Sequence, residues 1–426
     1  MADSPSLNPG VARREVFAWA MYDFANSGYT TVVLTAVFNA YFVSVIAANA
    51  EWATFAWTAA LSVSYAIVML IGPVLGASAD AHASKKRQLA ISTIVCIAGT
   101  VALVGTGPGT VAWAVACIIV SNVAYSMGEN LCAAFLPELS RPEALGRVSG
   151  WGWSLGYFGG ILALALCLAW VMTDEARGST PTEAVPGTMI ITAAIYGLAA
   201  LPTFLWLKER GTPTGALGTR AALARLMETA RDARRYTDLL LVFACGVFYQ
   251  GGVATVIALA AIYAEQVMGF KTQDTIVLVL VVNVTAAIGA FSFGYAQDRI
   301  GKTNALRTTI VGWVVMVVVA YFSETRASFW IAANLAGLCM GSSQSAGRAL
   351  VAYLSPPERS AEFFGLWGVA VRLAAILGPL TYGAVTWITS GNHRLAILLT
   401  GVFFIVSLVI LAFMDERRGR SQVEST

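Results

Sequence analysis

Two stretches of this chain share one pattern: Gly72-Pro73-Val74-Leu75-Gly76-Ala77-Ser78-Ala79-Asp80, followed by Lys85-Lys86-Arg87, and Phe293-Gly294-Tyr295-Ala296-Gln297-Asp298-Arg299-Ile300-Gly301-Lys302. Each contains Gly-x-x-x-Asp with a basic cluster behind it. One copy follows the second long apolar segment of the first half, and the other follows the second such segment of the second half. Repeats of this kind are common in membrane transporters. The pair therefore predicts a chain built from two related halves.

The composition is that of an integral membrane protein. Apolar residues make up 57% of the 426 residues and charged residues only 12%, and the mean hydropathy is +0.69. A soluble domain carries about 25% charged residues, so this chain cannot cover a water-facing surface of ordinary polarity. Its charges are grouped in short runs between long apolar stretches.

The apolar stretches predict twelve membrane-spanning helices, since a span needs about 20 mainly apolar residues. The candidates lie near 17–45, 54–79, 88–106, 110–136, 149–172, 188–207, 237–267, 275–297, 305–323, 327–353, 362–389 and 395–414. We expect an N-terminal six-helix bundle over 1–208 and a C-terminal one over 237–426. Between them, 209–236 is predicted to be a cytoplasmic linker with a basic amphipathic helix that lies on an anionic membrane surface.

The basic residues predict the orientation. Of the 27 Lys and Arg residues, four fall on the side opposite to the N-terminus if there are twelve spans: Arg177, Lys271, Arg326 and Arg394. Cytoplasmic loops carry the Lys/Arg excess. The pattern predicts a multi-pass protein of the plasma (inner) membrane, with both termini in the cytoplasm.

The repeated motif resembles the signature of the major facilitator superfamily, Gly-x-x-x-Asp-(Arg)-x-Gly-(Arg/Lys). The resemblance implies two pseudo-symmetric six-helix bundles and a conformational latch on the cytoplasmic face. The residues expected in the latch are Gly76, Asp80, Lys86, Arg87, Gly294, Asp298, Arg299 and Lys302.

Further motifs resemble the vacuole effluxer family, the autophagy-related amino acid exporters. They are Trp19-Ala20-Met21-Tyr22-Asp23-Phe24-Ala25-Asn26-Ser27-Gly28-Tyr29, Phe135-Leu136-Pro137-Glu138-Leu139, Gly152-Trp153-Ser154-Leu155-Gly156-Tyr157-Phe158-Gly159-Gly160, Glu362-Phe363-Phe364-Gly365 and Gly378-Pro379. Three positions depart from the family pattern: Gly251 stands in place of an Asp, Arg372 in place of a Lys and Gly347 in place of a Ser. The resemblance implies transport of an amino acid.

Polar side chains inside membrane spans are costly and mark candidate functional sites. The candidates for substrate or ion binding are Asp23, Asn26, Asn122, Glu129, Asn130, Tyr249, Gln250, Gln344, Arg348 and Arg372. The superfamily resemblance places spans one, four, seven and ten around a central cavity. Carboxylates lie in the first half and guanidinium groups in the second.

Our hypothesis is that Asp23 and Glu129 face Arg348 and Arg372 across this cavity. They would bind the two ends of a zwitterionic solute, or pair with each other when the cytoplasmic side closes. Fixed ion pairs that only neutralise buried charge are the alternative interpretation. Because burial disfavours a charged carboxylate, Glu129 or Asp23 could also carry a proton.

Other classes of protein fit the sequence less well. The two histidines, His82 and His393, lie near loops, and the six cysteines lie singly in apolar segments. Neither pattern predicts an enzyme, a metal site or a cofactor. The phosphate-binding motif of an ATP-driven pump does not occur in the sequence, and nothing predicts a nucleic-acid partner.

The sequence thus predicts a secondary active transporter, functioning as a monomer in the lipid bilayer, that moves a small polar solute by alternating access. An amino acid or related metabolite is the expected solute, with proton coupling and transport direction left open. The alternatives are a proton-coupled transporter of another small organic molecule, including drug efflux, and a transporter-derived membrane sensor.

Overall fold

The computed structural model describes residues 6–211, 236–270 and 272–424, and these ranges are almost entirely helical. Within them the chain forms twelve long helices, a short C-terminal one and several helical segments of seven residues or fewer. The twelve long helices and the C-terminal one are α1 Arg13–Tyr29, α2 Ala53–Ala81, α3 Lys85–Ala102, α4 Val111–Ala133, α5 Leu145–Glu175, α6 Pro181–Trp206, α7 Thr237–Gln266, α8 Thr272–Ile300, α9 Lys302–Phe322, α10 Arg326–Leu354, α11 Ser360–Ile388, α12 His393–Ala412 and α13 Glu416–Glu424.

Eleven of the described helices are both long and apolar enough to cross a membrane. The twelfth, α10, has 29 residues and reaches about 44 Å at 1.5 Å per residue, but it is more polar. Its polar side chains point inward, since Ser343, Ser345 and Arg348 are buried. The helix therefore serves as a span whose polar face lies inside the protein, and the prediction of twelve transmembrane helices is confirmed.

The first span is irregular in its second part. After Tyr29 it continues as two π-helical segments, Thr30–Ala36 and Phe42–Ile46, on either side of the short α-helix Phe38–Tyr41. The whole span, Arg13–Ile46, has 34 residues. π-Helical turns are rare and often occur at functional sites.

The helices form two six-helix bundles, α1–α6 and α7–α12, which we call the N-half and the C-half. The halves meet where α2 packs on α11 and where α5 packs on α8 and α10. Glycines permit close approach of the backbones: a Cβ on Gly76 would collide with the carbonyl of Ala361, and one on Gly294 would lie 3.2 Å from the carbonyl oxygen of Gly146. These contacts lie towards one end of the bundle, which carries the connections at 82–84, 134–144, 301 and 355–359. We call this the basic end.

Both halves contain the same capping arrangement at the basic end. The Glu209 carboxylate, after α6, accepts hydrogen bonds from the backbone N–H groups of Lys85 (2.6 Å) and Lys86 (3.2 Å) at the start of α3. Glu416, after α12, does the same for Lys302 (3.4 Å) and Thr303 (3.0 Å) at the start of α9. A carboxylate there satisfies free N–H groups and complements the helix dipole. The repeat in the sequence is thus matched by a repeat in the hydrogen bonding.

The predicted linker helix falls almost wholly on residues 212–235, outside the described residues. The predicted boundaries 1–208, 209–236 and 237–426 therefore stay predictions, as does the monomeric state.

Candidate functional site

The first copy of the repeated motif holds α2 against α11. The Asp80 carboxylate accepts a hydrogen bond of 2.9 Å from the backbone N–H of Glu362, at the start of α11. Lys85 Nζ lies 3.4 Å from Asp80 Oδ1, 2.5 Å from Glu138 Oε1 and 3.1 Å from Ser360 Oγ. Because α2 and α11 belong to different halves, these bonds tie the two halves together at the basic end.

The second copy does the same for α8 and α5. Asp298 accepts hydrogen bonds of 3.1 Å from the backbone N–H groups of Gly146 and Arg147, at the start of α5. Helix N-termini stabilise negative charge through their free N–H groups and dipole. Each motif aspartate therefore binds the N-terminus of a helix from the other half, and the basic end is closed.

The basic residues of the motifs have different surroundings, and of these residues Lys302 lies near enough to Asp298 to attract it electrostatically. Lys86 donates to the carbonyl of Leu207 within its own half, and Lys302 lies 4.4 Å from the ring centroid of Tyr353. Arg87 and Arg299 are exposed.

The cations that contact the motif aspartates are Lys85 and Arg147, whose Nε lies 3.6 Å from Asp298. Arg147 was missed because it lies 151 residues from Asp298. No local pattern could reveal that contact.

Deeper in the bundle, Asp23 of α1 pairs with Arg348 of α10. Their closest atoms, Asp23 Oδ2 and Arg348 Nη1, are 2.6 Å apart. Arg348 also donates to Ser149 of α5, through Nε to the hydroxyl (3.1 Å) and through Nη2 to the carbonyl (2.8 Å). Its guanidinium carbon lies 4.7 Å from the ring centroid of Trp19 and 5.3 Å from that of Trp153. This ion pair is enclosed on several sides.

A second ion pair joins Glu129 of α4 to Arg372 of α11, with Glu129 Oε2 and Arg372 Nη2 2.5 Å apart. The Glu129 side chain is 31% exposed and that of Arg372 is 9% exposed. Within the described residues, Arg372 Nε is buried and has no hydrogen-bond partner. The Arg372 guanidinium carbon lies 5.6 Å from the ring centroid of Tyr65. This pair is incompletely satisfied and faces accessible space.

The polar stripe of α4 runs beside this second pair. Asn122 donates to the Ser64 hydroxyl of α2 (2.5 Å). Asn122 Oδ1, Ser126 Oγ and Asn130 Nδ2 are buried without a hydrogen-bond partner among the described residues. Asn130 packs where Gly368 of α11 has no side chain. Buried polar atoms are normally hydrogen-bonded to protein, water or ligand, so this stripe is suited to a polar guest.

The other predicted binding residues make contacts within one half. Asn26 accepts a 2.6 Å hydrogen bond from the Tyr196 hydroxyl of α6. Gln250 of α7 and Gln344 of α10 form a reciprocal amide pair, with bonds of 2.8 Å and 3.1 Å. Tyr249 is buried, and its hydroxyl accepts a 3.3 Å hydrogen bond from Gln250.

The position of the missing family aspartate is crowded. A Cβ on Gly251 would lie 3.1 Å from the ring of Phe403 and 3.6 Å from the carbonyl oxygen of Ala374. The glycine therefore fits the tight packing of α7 against α11 and α12.

Comparisons with known proteins agree with this geometry. The family model described as "Vacuole effluxer Atg22 like" matches residues 42–424. The uncharacterized MFS-type transporter YxiO of Bacillus subtilis (strain 168) is 29% identical over 411 residues, which cover 94% of both chains. Autophagy-related protein 22-1 of Aspergillus fumigatus is 22% identical over 302 residues, 64% of this chain and 49% of that protein. The chain thus spans about half of the fungal relative.

Solved structures show the same fold. The human organic anion transporter MFSD10 superposes with a TM-score of 0.73 at 16% identity, over 94% of this chain and 99% of that one. A bacterial homologue of the iron transporter ferroportin, in an outward-facing state, superposes with a TM-score of 0.70 at 15% identity, over 94% and 99% of the two chains. The family match, the twelve spans and the paired motifs agree: the chain belongs to the vacuole effluxer Atg22-like family of major facilitator transporters, and it is a transporter, not an enzyme.

Proposed function

We propose that this transporter carries an amino acid or a similar zwitterion, and that the solute binds between Glu129 and Arg372. The observation that carries the proposal is the incomplete satisfaction of this ion pair. Glu129 is 31% exposed, and Arg372 Nε has no hydrogen-bond partner among the described residues. A solute that displaces the bond between Glu129 and Arg372 would offer its carboxylate to the unused donor of Arg372 and its ammonium group to the partly exposed carboxylate of Glu129.

The chemistry of the two side chains fits a zwitterion. A guanidinium binds a carboxylate through two parallel hydrogen bonds, and Arg372 directs only one nitrogen to Glu129 in the described hydrogen bonds. The unpartnered polar atoms of Asn122, Ser126 and Asn130 on α4 offer further polar contacts. The description of the matching family, a vacuole effluxer, supports solute export. The family resemblance in the sequence implies an amino acid as the cargo.

Solute binding would also weaken the contact between the halves. Glu129 lies in the N-half and Arg372 in the C-half, so a solute that engages both side chains competes with their direct bond. Alternating access requires that contacts which close one end can be replaced. Competition for this pair would link occupancy of the site to opening of the basic end.

We further propose that the basic end faces the cytoplasm of a cell with this protein in its inner membrane. The support is the concentration of Lys and Arg at that end, on the connections and in the first turns of the helices that follow them. Among these residues are Lys85, Lys86, Arg141, Arg147 and Arg359. On this assignment, the closed basic end corresponds to a state closed to the cytoplasm.

Proton coupling is a second proposal for the same site. Glu129 is a partly exposed carboxylate between the halves, where a proton and a cationic solute group would compete for the same oxygens. Uptake driven by an imposed pH gradient, compared in parent and Glu129→Gln proteoliposomes, tests it. If the Glu129→Gln variant keeps the full gradient-driven uptake of the parent, the assignment of proton coupling to Glu129 is contradicted.

Ligand analogues test the solute site. A thermal-shift screen of the purified protein should find stabilisation by one or more amino acids. The methyl ester, which lacks the carboxylate, and the N-acetyl derivative, which lacks the ammonium group, should both bind poorly. Arg372→Gln should remove the discrimination against the ester, and Glu129→Gln that against the N-acetyl form. Exposed residues supply matched controls in Arg307→Gln and Glu51→Gln. Equal binding of all three compounds by the parent would contradict the proposal.

A further inference from the structure

We infer that the Asp23–Arg348 ion pair is a gate that solute does not enter, and that it extends the latch of the second motif from the basic end deeper into the bundle. This inference rests on the proposed function only in assigning solute to the other ion pair. The two pairs have similar chemistry and similar distances, so the difference between them lies in their surroundings.

The surroundings of Asp23 and Arg348 leave no place for a solute. The three guanidinium nitrogens of Arg348 each donate a hydrogen bond, one to Asp23 and two to Ser149. Two indole rings lie against the guanidinium, and only 7% of the Arg348 side chain and 12% of the Asp23 side chain are exposed.

The backbone of α5 closes the remaining side at Gly152. A Cβ there would collide with Asp23 Oδ2 and lie 2.6 Å from Arg348 Nη2. The absence of a side chain at this position is therefore what lets α5 pack directly over the pair. By contrast, the Glu129–Arg372 pair keeps an unused donor and a carboxylate that is 31% exposed.

The enclosed pair is also connected to the second motif. The Ser149 hydroxyl donates to the carbonyl of Ser345 (2.9 Å), and Gln297 donates to the Ser345 hydroxyl (3.1 Å). Gln297 also donates to the carbonyl of Gly146 (2.9 Å). The backbone N–H of Gly146 in turn donates to the Asp298 carboxylate.

This chain of hydrogen bonds passes repeatedly between the halves, from α1 to α10, to α5, back to α10, and on to α8 and α5. Every hydrogen bond of this chain that joins the two halves must break when the halves separate at the basic end. Ser149 and Gln297 thus act as positioning residues, because they link Arg348 to the latch and would touch no solute.

The two ion pairs would therefore have different roles in transport. The Glu129–Arg372 pair responds to solute, whereas the Asp23–Arg348 pair sets how firmly the basic end is closed. An ion pair that exists in only one of two conformations shifts their ratio by its differential contribution. Removal of the Asp23–Arg348 pair should favour the open state without loss of the solute site.

Spin-label distances test this without any solute. Exposed Glu143 and Arg299, on opposite halves at the basic end, can be replaced by cysteine and labelled, since the native cysteines are buried. The parent should give a dominant short distance. Asp23→Asn/Arg348→Gln should raise the ratio of long to short distances at least about tenfold, because a charge-assisted contact is lost from the closed state alone.

Two further variants keep the test decisive if the double variant does not fold. Ser149→Ala removes the hydroxyl that accepts from Arg348 Nε and donates to the Ser345 carbonyl. It leaves both charges and the bond from Arg348 Nη2 to the Ser149 carbonyl. Gly152→Ala displaces the pair by steric contact. Both should shift the distances in the same direction as the double variant. Arg307→Gln is the control and should keep the parental distances.

Binding separates this inference from the proposed function. With an equimolar mixture of the standard L-amino acids as probe, the folded Asp23→Asn/Arg348→Gln protein should keep the parental thermal shift, whereas Arg372→Gln should lose it. A folded double variant with parental distances would overturn the gate. The gate would also be overturned if the double variant lost its thermal shift with amino acids to the same extent as Arg372→Gln. If the parent itself binds no amino acid, the proposed function fails and the distance measurement still decides the gate.

Discussion

Substitution of Glu129 by Gln is the perturbation that the structure constrains most tightly. Gln keeps the shape of the side chain and one hydrogen-bond acceptor, but removes the charge that faces Arg372 at 2.5 Å. Loss of a buried partner costs about 3–5 kcal/mol when the charge left behind is fully enclosed. Glu129 is 31% exposed, so water can reach the pair, and we expect a smaller loss of stability, about 1–2 kcal/mol.

The effect on solute binding should be larger than the effect on folding. The solute ammonium would exchange a charge-assisted hydrogen bond for one to a neutral amide, and such bonds contribute about 1.5–3 kcal/mol. The corresponding decrease in affinity is about 10-fold to 150-fold. Thermal-shift titration in detergent measures the affinity for the solute, and the melting temperature without solute measures the loss of folding stability. Affinity within about twofold of the parent, in a protein that remains monodisperse, would refute the assignment of Glu129.

Three further predictions concern the basic end and the core. Asp80→Asn and Asp298→Asn should each weaken closure of the basic end, because each removes a carboxylate from a helix N-terminus. Weaker closure would be measured as faster labelling of a cysteine introduced at that end. Unchanged labelling in both variants would contradict the latch. Gly251→Asp should lower stability by about 1–3 kcal/mol by overpacking, measured by thermal unfolding; a melting temperature equal to the parent's would show that the site has room. Glu209→Gln and Glu416→Gln should each cost about 1 kcal/mol as lost caps, and similar melting-temperature decreases for both would support the repeat.

Much of the fold can be predicted from the sequence because its determinants are local. Span length, the apolar stretches and the duplicated Gly-x-x-x-Asp motif lie within short windows. The α10 span shows the limit of hydropathy alone: its inward polar side chains reduce the average, and the repeat identifies it as a span more reliably than its composition does.

The side-chain partners could be predicted only in part. The distribution of charge along the sequence predicts contacts between carboxylates of the N-half and arginines of the C-half. It does not predict which carboxylate contacts which arginine. The polar stripe of α1 similarly gives the face on which Asn26 lies, and only tertiary packing brings Tyr196 to it.

The motif cations show the same limit. Lys85, and not Lys86 or Arg87, contacts Asp80, and its other partners, Glu138 and Ser360, lie far from it in the sequence. Arg147 reaches Asp298 only through the packing of α5 on α8. These contacts join residues far apart in the sequence, where periodicity carries no information.

Solute counterflow in proteoliposomes tests the central claim most directly. The account predicts that unlabelled amino acid inside the vesicles stimulates uptake of the labelled amino acid, as only a carrier allows. Arg372→Gln should abolish this stimulation, and Arg307→Gln, with its exposed side chain, should preserve it. Counterflow that persists at the parental rate in Arg372→Gln would contradict the site, and a parent without counterflow for any amino acid would contradict the proposed cargo.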